Sequence, residues 1–296
     1  MERKYEIFLN GVVEEINSKL EEMNSPYRAI MGEKLYTNGE KLPTIGIGDT
    51  FGLVRTITAD VMEALIYNRK EVIEDMVNTA IARHGEIDWA RFQSALDGEL
   101  VIRPKLISRE RNKELVLNCP HRDILDLSLV YERKLPEVKE GMVAILKVTN
   151  DFLWTKDMSE EDIYSLSEEY VEDYSLTSHR ELVEEMTEDE KFIVLNLPEE
   201  DVFYILSIDK DTADCGAAVL GYPKILKEVS ERMEGSYYIF PSSIHEVLVL
   251  SSRTGMSERH LKGMVKEANL NLPEDEFLSD NLYFYNAETE EISIVE

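Results

Sequence analysis

Apolar positions in this chain follow two rhythms, and together they predict a mixed helix and sheet protein. From Tyr5 to Met23, Ile7, Val12, Val13, Ile16, Leu20 and Met23 fall near one face at helical spacing. Ser25 and Pro26 stop that helix. Tyr27–Tyr36 and Leu42–Ile47 read as strands around Thr37-Asn38-Gly39-Glu40, where Asn-Gly tolerates the positive φ of a hairpin turn. A second helix is expected from Asp60 to His84, with Gly85 as its C-cap.

The rhythm changes at Leu100. Val101–Ile107 reads as a strand, Arg109–Leu117 as a short helix, and Asp123–Arg133 and Met142–Val148 as strands. Asp151–Lys156 and Glu160–Tyr174 read as helices, the second opened by a capping box of Ser159 and Asp162. Val202–Ile208 and Gly216–Leu220 are expected strands. Pro223–Met233 is a helix with proline in its first turn, closed by Gly235. Tyr237–Phe240 and Glu246–Leu250 are strands, Ser257–Ala268 a helix, and Leu282–Tyr285 with Ile292–Val295 a terminal hairpin.

From Gly216 the order is β-α-β-β-α-β, the split βαβ arrangement of ferredoxin-like domains. Val101–Lys156 repeats part of it as β-α-β-β-α, with Pro120-His121 in one copy matching Pro241 and His245 in the other. The fold class is therefore α+β. The expected divisions are 1–98, a β-α-β-β-α module at 99–158, an acidic helical connector at 159–200, and a C-terminal α+β domain at 201–296.

Charge alters this picture. The chain has 296 residues and a formal net charge of -28. Residues 160–201 hold 16 Asp or Glu against Arg180 and Lys191, so this stretch supplies half of the surplus. Such a charge repels phosphate backbones and anionic membrane surfaces, and it admits a basic protein partner. It also suits an acidic decoy whose carboxylates imitate phosphates. No apolar run approaches the 18 or so residues of a membrane helix, and the N-terminus carries charges throughout. Two cysteines, Cys119 and Cys215, make no disulfide framework, so a reducing cytoplasm is expected.

Several quoted segments resemble an uncharacterised domain-of-unknown-function family of Firmicutes, met in gut anaerobes and near mobile genetic elements. They are Tyr36-Thr37-Asn38-Gly39, Arg111-Asn112-Lys113-Glu114-Leu115 and the run from Asn118 to Ser128. Gly216–Pro223, Tyr238–Val247 and Leu278–Tyr283 continue the match over most of the chain. Members commonly carry cysteine where Val219 stands here. The resemblance implies a bacterial cytoplasmic protein and no established activity.

Three clusters could carry chemistry. Pro241-Ser242-Ser243-Ile244-His245-Glu246 holds two hydroxyls, an imidazole and a carboxylate, the types a serine hydrolase needs. It lacks a Gly-x-Ser-x-Gly elbow, and neighbours on a strand point to opposite faces. A turn whose hydroxyls bond backbone groups is the simpler expectation. Cys119, His121 and Asp123 could bind a partner; Cys119 and His121 with Cys215 and His245 would make a partial metal set, but their spacing specifies no metal site. Asp280, in Leu278-Ser279-Asp280-Asn281, is a candidate binding carboxylate within an expected turn. Gly46-Ile47-Gly48-Asp49 reads as a loop without a phosphate cradle, and no cofactor is expected. No complete catalytic set emerges. A non-catalytic interaction protein leads the readings, ahead of the decoy and of a hydrolase using Ser242 or Ser243 with His245.

Overall fold

The computed structural model describes residues 2–35, 41–49, 52–57, 62–84, 89–137, 143–185, 187–208 and 213–296. The chain divides into two compact units, one built from the elements before Gly98 and the other from those after Glu99. The expected divisions at 158/159 and 200/201 both fall inside the second unit.

The first unit contains α1 (Glu2–Glu22), β1 (Arg28–Leu35), β2 (Lys41–Asp49), β3 (Gly52–Ile57), α2 (Met62–His84) and α3 (Trp89–Asp97). Its three strands pair antiparallel in chain order. Leu9, Val12, Ile16 and Leu20 of α1 share a buried cluster with Ala29, Ile45 and Ile47 of the sheet and Leu65, Ile73 and Met76 of α2. The apolar face of α1 therefore runs from Leu9 to Leu20, while Ile7 and Met23, expected on it, stay 64% and 52% exposed. Asn17 pins α1 to β1: its side chain accepts the N–H of Ala29 at 2.8 Å and donates to the Ala29 carbonyl at 3.0 Å. The strand expected at Leu42–Ile47 is present and runs on through Gly48 and Asp49, expected in a loop, with a register shift between Ile47 and Gly48. The Asn38-Gly39 turn and the Gly85 cap fall outside the described residues.

The second unit contains β4 (Val101–Ser108), α4 (Lys113–Asn118), β5 (His121–Ile124), β6 (Leu127–Lys134), β7 (Ile145–Lys147), α5 (Asn150–Lys156) and α6 (Glu160–Val171). It continues with β8 (Tyr174–Ser178), α7 (Glu188–Asn196), β9 (Tyr204–Ile208), α8 (Pro223–Arg232), β10 (Tyr237–Phe240), β11 (Val247–Ser251), α9 (Glu258–Asn269), β12 (Tyr283–Asn286) and β13 (Glu291–Ile294). A four-stranded sheet runs β4-β6-β5, with β7 also on β6, and a six-stranded sheet runs β13-β12-β10-β11-β9-β8. Every pairing in both sheets is antiparallel.

Local signals account for much of this. Ser159 and Asp162 form the reciprocal capping box of α6, with Asp162 Oδ2 accepting the Ser159 N–H at 2.8 Å. Pro223 opens α8, and Gly235 ends its exit at φ 148°, its N–H donating to the Ser230 carbonyl at 3.0 Å. Ser257 caps α9 by accepting the His260 N–H. The six-stranded sheet is buried on both faces. Tyr237, Ile239, Val247, Val249, Tyr283 and Tyr285 join the main core, while Phe240, Leu250 and Leu282 join a second cluster under Leu261 and Val265 of α9.

Three expectations are corrected. Gly216–Leu220 is not a strand but part of a 3-10 segment, Ala213–Gly221, in contact with both β4 and β9. Asp123–Arg133 is not one strand, because Leu125 takes φ 56° and folds the run into the β5–β6 hairpin. The acidic segment contains a true strand, β8, hydrogen-bonded to β9. With Gly216–Leu220 removed, β9 is the first strand of the β-α-β-β-α-β order. The hairpin β10–β11 then occupies the centre of the sheet, where a ferredoxin-like sheet pairs its first and third strands. The ferredoxin-like strand order is thus absent from this sheet.

A topological echo is present all the same. β4-α4-β5-β6 and β9-α8-β10-β11 both place their strands in the order first, third, second. Pro120 precedes one hairpin and His121 is the first residue of its β5, whereas Pro241 and His245 lie in the link between β10 and β11.

Candidate functional site

The Ser242–Glu246 segment links β10 to β11 and is threaded among its neighbours by backbone bonds. Ile244 N–H donates to the Glu276 carbonyl (3.0 Å), Leu278 N–H to Ser242 (3.1 Å) and Ser279 N–H to Pro241 (3.2 Å). The buried Ser243 hydroxyl accepts the backbone N–H of His245 at 3.1 Å. The His245 imidazole lies 3.3 Å from the Glu276 carboxylate through Nε2. Glu246 is exposed, and its charge acts on His179. The geometry is that of a turn whose hydroxyl satisfies backbone.

Cys119 caps the end of α4 and is buried, which pushes its thiol pKa up and away from thiolate chemistry. His121 Nδ1 faces the Cys119 carbonyl at 3.0 Å. Cys215 is fully buried among apolar neighbours. Burial alone would raise the Asp123 pKa, but the Ser128 hydroxyl (2.8 Å) and the Arg109 guanidinium (2.8 Å) hold it below the usual carboxylate range. Asp280 accepts the Asn269 amide at 2.8 Å. Among the described residues, no group of three or more His, Cys, Asp or Glu stands ready for a metal ion.

A residue that sequence reasoning passed over, Asp126, joins two of the quoted segments. Its Oδ1 accepts the Tyr283 hydroxyl at 2.5 Å, and its Oδ2 accepts Ser279 Oγ at 2.7 Å and Asn281 Nδ2 at 3.1 Å. Both segments carry polar residues in apolar surroundings, and that was the available signal.

The concavity with chemistry of its own lies elsewhere. A cleft of about 500 Å³ opens between the C-terminal end of α6 and the start of α8. Tyr164, Tyr174 and Tyr222 line it, with Glu168, Glu172 and Glu228 as acids, Lys224 as base, and Val171 and Ile225 as apolar surface. Neither His121 nor His245 belongs to the lining. Tyr164 and Tyr222 stack with ring centroids 5.1 Å apart, and the Arg122 guanidinium rests 3.4 Å from the Tyr164 centroid. Arg122 is held by Glu160 (2.8 Å) and Glu161, and the Tyr131 hydroxyl also donates to Glu160. The Tyr222 hydroxyl shares a 2.6 Å bond with Ser167. Burial, then the 2.8 Å bond to Glu228, pushes the Tyr174 phenol up to about 12, so this hydroxyl stays a neutral donor.

A second surface stands out on α7. Phe192, Ile193 and Leu195 are 72%, 60% and 56% exposed. Nine carboxylates lie between Glu181 and Asp201 in the sequence, against a single lysine, Lys191. Arg180, just upstream, pairs with Glu199 and donates to the Leu197 carbonyl at 2.5 Å.

His179 opens the 3-10 turn that leads to α7, its ring 6.1 Å from that of Phe203. Burial lowers its pKa, with Glu246 opposing. A histidine depressed on folding binds its proton more readily when unfolded, so its contribution is present above the ordinary histidine pKa and fades as pH falls. His179→Asn is expected to flatten the loss of unfolding midpoint between about pH 7 and pH 5. Parallel urea titrations of the two proteins at each pH check this, and identical slopes would refute it.

The model of the family of unknown function DUF5688 matches residues 5–287, so the chain belongs to that family. No curated protein and no solved structure matches the chain.

Proposed function

We propose that this DUF5688 member is a non-catalytic binding protein of the bacterial cytoplasm, docking a basic partner protein on the exposed apolar residues of α7. The exposure of Phe192, Ile193 and Leu195 on one short helix carries the reading. Large apolar side chains clustered in water mark a surface made to be covered. The surrounding carboxylates favour an occupant with apolar anchors and a cationic rim, and they steer it by long-range attraction. A chain of this length with only two cysteines, Cys119 and Cys215, fits a reducing compartment. No described helix is long and apolar enough to cross a membrane.

The test uses a synthetic helical peptide with one leucine face and one lysine face. Phe192→Ser with Leu195→Ser is expected to weaken its binding by roughly tenfold or more, measured by fluorescence anisotropy. Unchanged affinity in that variant, with binding abolished by 0.5 M salt, would replace this reading with the decoy, which rests on the net charge of -28 alone.

A further inference from the structure

We infer that the basic partner of α7 is a second copy of this chain, docked through the outer side of α9. The inference rests on the reading of α7 given above and names its occupant.

α9 buries Leu261 and Val265 and exposes Arg259, Gly263, Lys266 and Leu270. These four stand four, three and four positions apart, so they form one row along the helix. Leu270, 80% exposed, ends the row as an apolar anchor. A shallow hollow of about 500 Å³ opens here, with Arg259, Lys262, Gly263 and Lys266 in its lining. Two acids share it: Glu258 accepts the Tyr238 hydroxyl at 3.2 Å, and Glu296 offers its carbonyl to Lys262. Cations around a small apolar contact are what the carboxylate-rich segment of α7 attracts.

Two features of the row have no reason inside the chain. Glycine is a poor helix residue, yet Gly263 stands in the middle of α9, and a Cβ there would meet no atom within 4 Å among the described residues. Nothing internal therefore requires its small size. Arg259 lies in the first turn, at the positive end of the helix dipole, where a cation is disfavoured. Among the described residues, neither Arg259 nor Lys266 has a hydrogen-bonding or ionic partner. Such local departures concentrate where function requires them.

A gap without a side chain, flanked by two cations, accepts a large aromatic knob. In the docked pair, Phe192 of one copy fills the gap at Gly263 of the other, with Arg259 and Lys266 beside its ring. Phe192 is 72% exposed, and Asp189, exposed one turn earlier on α7, brings a carboxylate to the same cations. The net charge of -28 on each copy opposes association at long range. At about 0.15 M salt the screening length is about 8 Å, so that repulsion fades while charges in contact still attract. α7 and α9 are different surfaces, so the contact is heterologous and every copy offers both halves of it.

The test is sedimentation velocity of the full-length chain over a range of concentrations at about 0.15 M salt. Reversible self-association is expected. Phe192→Ser with Leu195→Ser, and separately Arg259→Glu with Lys266→Glu, should each weaken it roughly tenfold or more. Mixing these two variants restores one intact contact, between α7 of the second and α9 of the first. The mixture should therefore associate more tightly than either variant alone. Gly263→Gln should weaken association while the thermal midpoint of the dilute chain holds or rises, because glutamine is the better helix former. A parent chain monomeric at its highest soluble concentration, a mixture no tighter than its parts, or full association of Gly263→Gln would overturn the inference. The synthetic peptide separates the two readings. A parent chain that binds the peptide yet stays monomeric keeps its α7 docking site and loses only the second copy as occupant. Unchanged peptide affinity in the Phe192→Ser, Leu195→Ser variant removes docking on α7 itself.

Discussion

Gly216→Ala is expected to destabilise the second unit by about 3 kcal/mol or more, the largest effect of any single methyl group considered. A Cβ at this position would stand 1.8 Å from the His245 carbonyl oxygen and 2.2 Å from Ser207 Oγ. Backbone cannot rotate aside as a side chain does. The His245 carbonyl is further fixed by the Ser207 hydroxyl at 3.1 Å, and the neighbouring Ile244 carbonyl accepts the Ala217 N–H at 3.2 Å. Cys215, Ala217, Ala218 and Val219 are fully buried, so the 3-10 segment has no free direction in which to retreat. Gly221→Ala makes a useful contrast. Its added carbon meets Leu129 Cδ2 at 2.7 Å, the far end of a side chain that can change rotamer, so its cost should be smaller. Chemical denaturation followed by tyrosine and tryptophan fluorescence checks both. A Gly216→Ala midpoint equal to that of the parent protein would remove the steric account.

Asp126→Ala is the second large effect, expected to cost roughly 3 kcal/mol. Hydrogen bonds to a charged acceptor are worth more than neutral ones, and here three donors converge on one carboxylate. The fully buried Tyr283 would keep a hydroxyl without its acceptor, which is costlier than removing both groups. Asp126→Ala with Tyr283→Phe should therefore destabilise by less than the sum of the two single changes. A thermal-melt double-mutant cycle measures that coupling. Additive single effects would show that Asp126 and Tyr283 act independently.

The contrast between the two residues shows what the sequence makes legible. Features encoded within a few positions could be read: the Ser159 and Asp162 capping box, Pro223 at the head of α8, Ser257 before α9 and the terminal hairpin. Features set by distant partners could not. The turn at Leu125-Asp126 has no glycine or proline, and Arg109 supplies its support by donating to the Leu125 carbonyl at 2.7 Å and, through its N–H, to Asp126 at 3.2 Å. Gly216–Leu220 is a short, wholly apolar run, and periodicity does not distinguish a buried strand from a buried helical turn in such a case. β8 buries Leu176 alone among five residues, too little alternation to stand out from its acidic flanks. The tyrosine-lined cleft gathers residues from Tyr164 to Glu228, so no spacing rule could have announced it. The clusters that did look chemical, around Ser243 and Cys119, hold turns and helix ends in place.

The bond between Asp126 and Tyr283 spans 157 positions, and one core reaches from Ile102 to Tyr285. A ribosome adding about 5–20 residues per second separates the synthesis of those two partners by about 8–30 seconds. Within that interval α6 and the 3-10 segment Ala213–Gly221 emerge and can cover β4, but the bond that ties Asp126 to β12 must wait. The closing contact waits on Ser279, Asn281 and Tyr283, so a chain cut before Ser279 lacks the keystone of this core rather than a trailing edge.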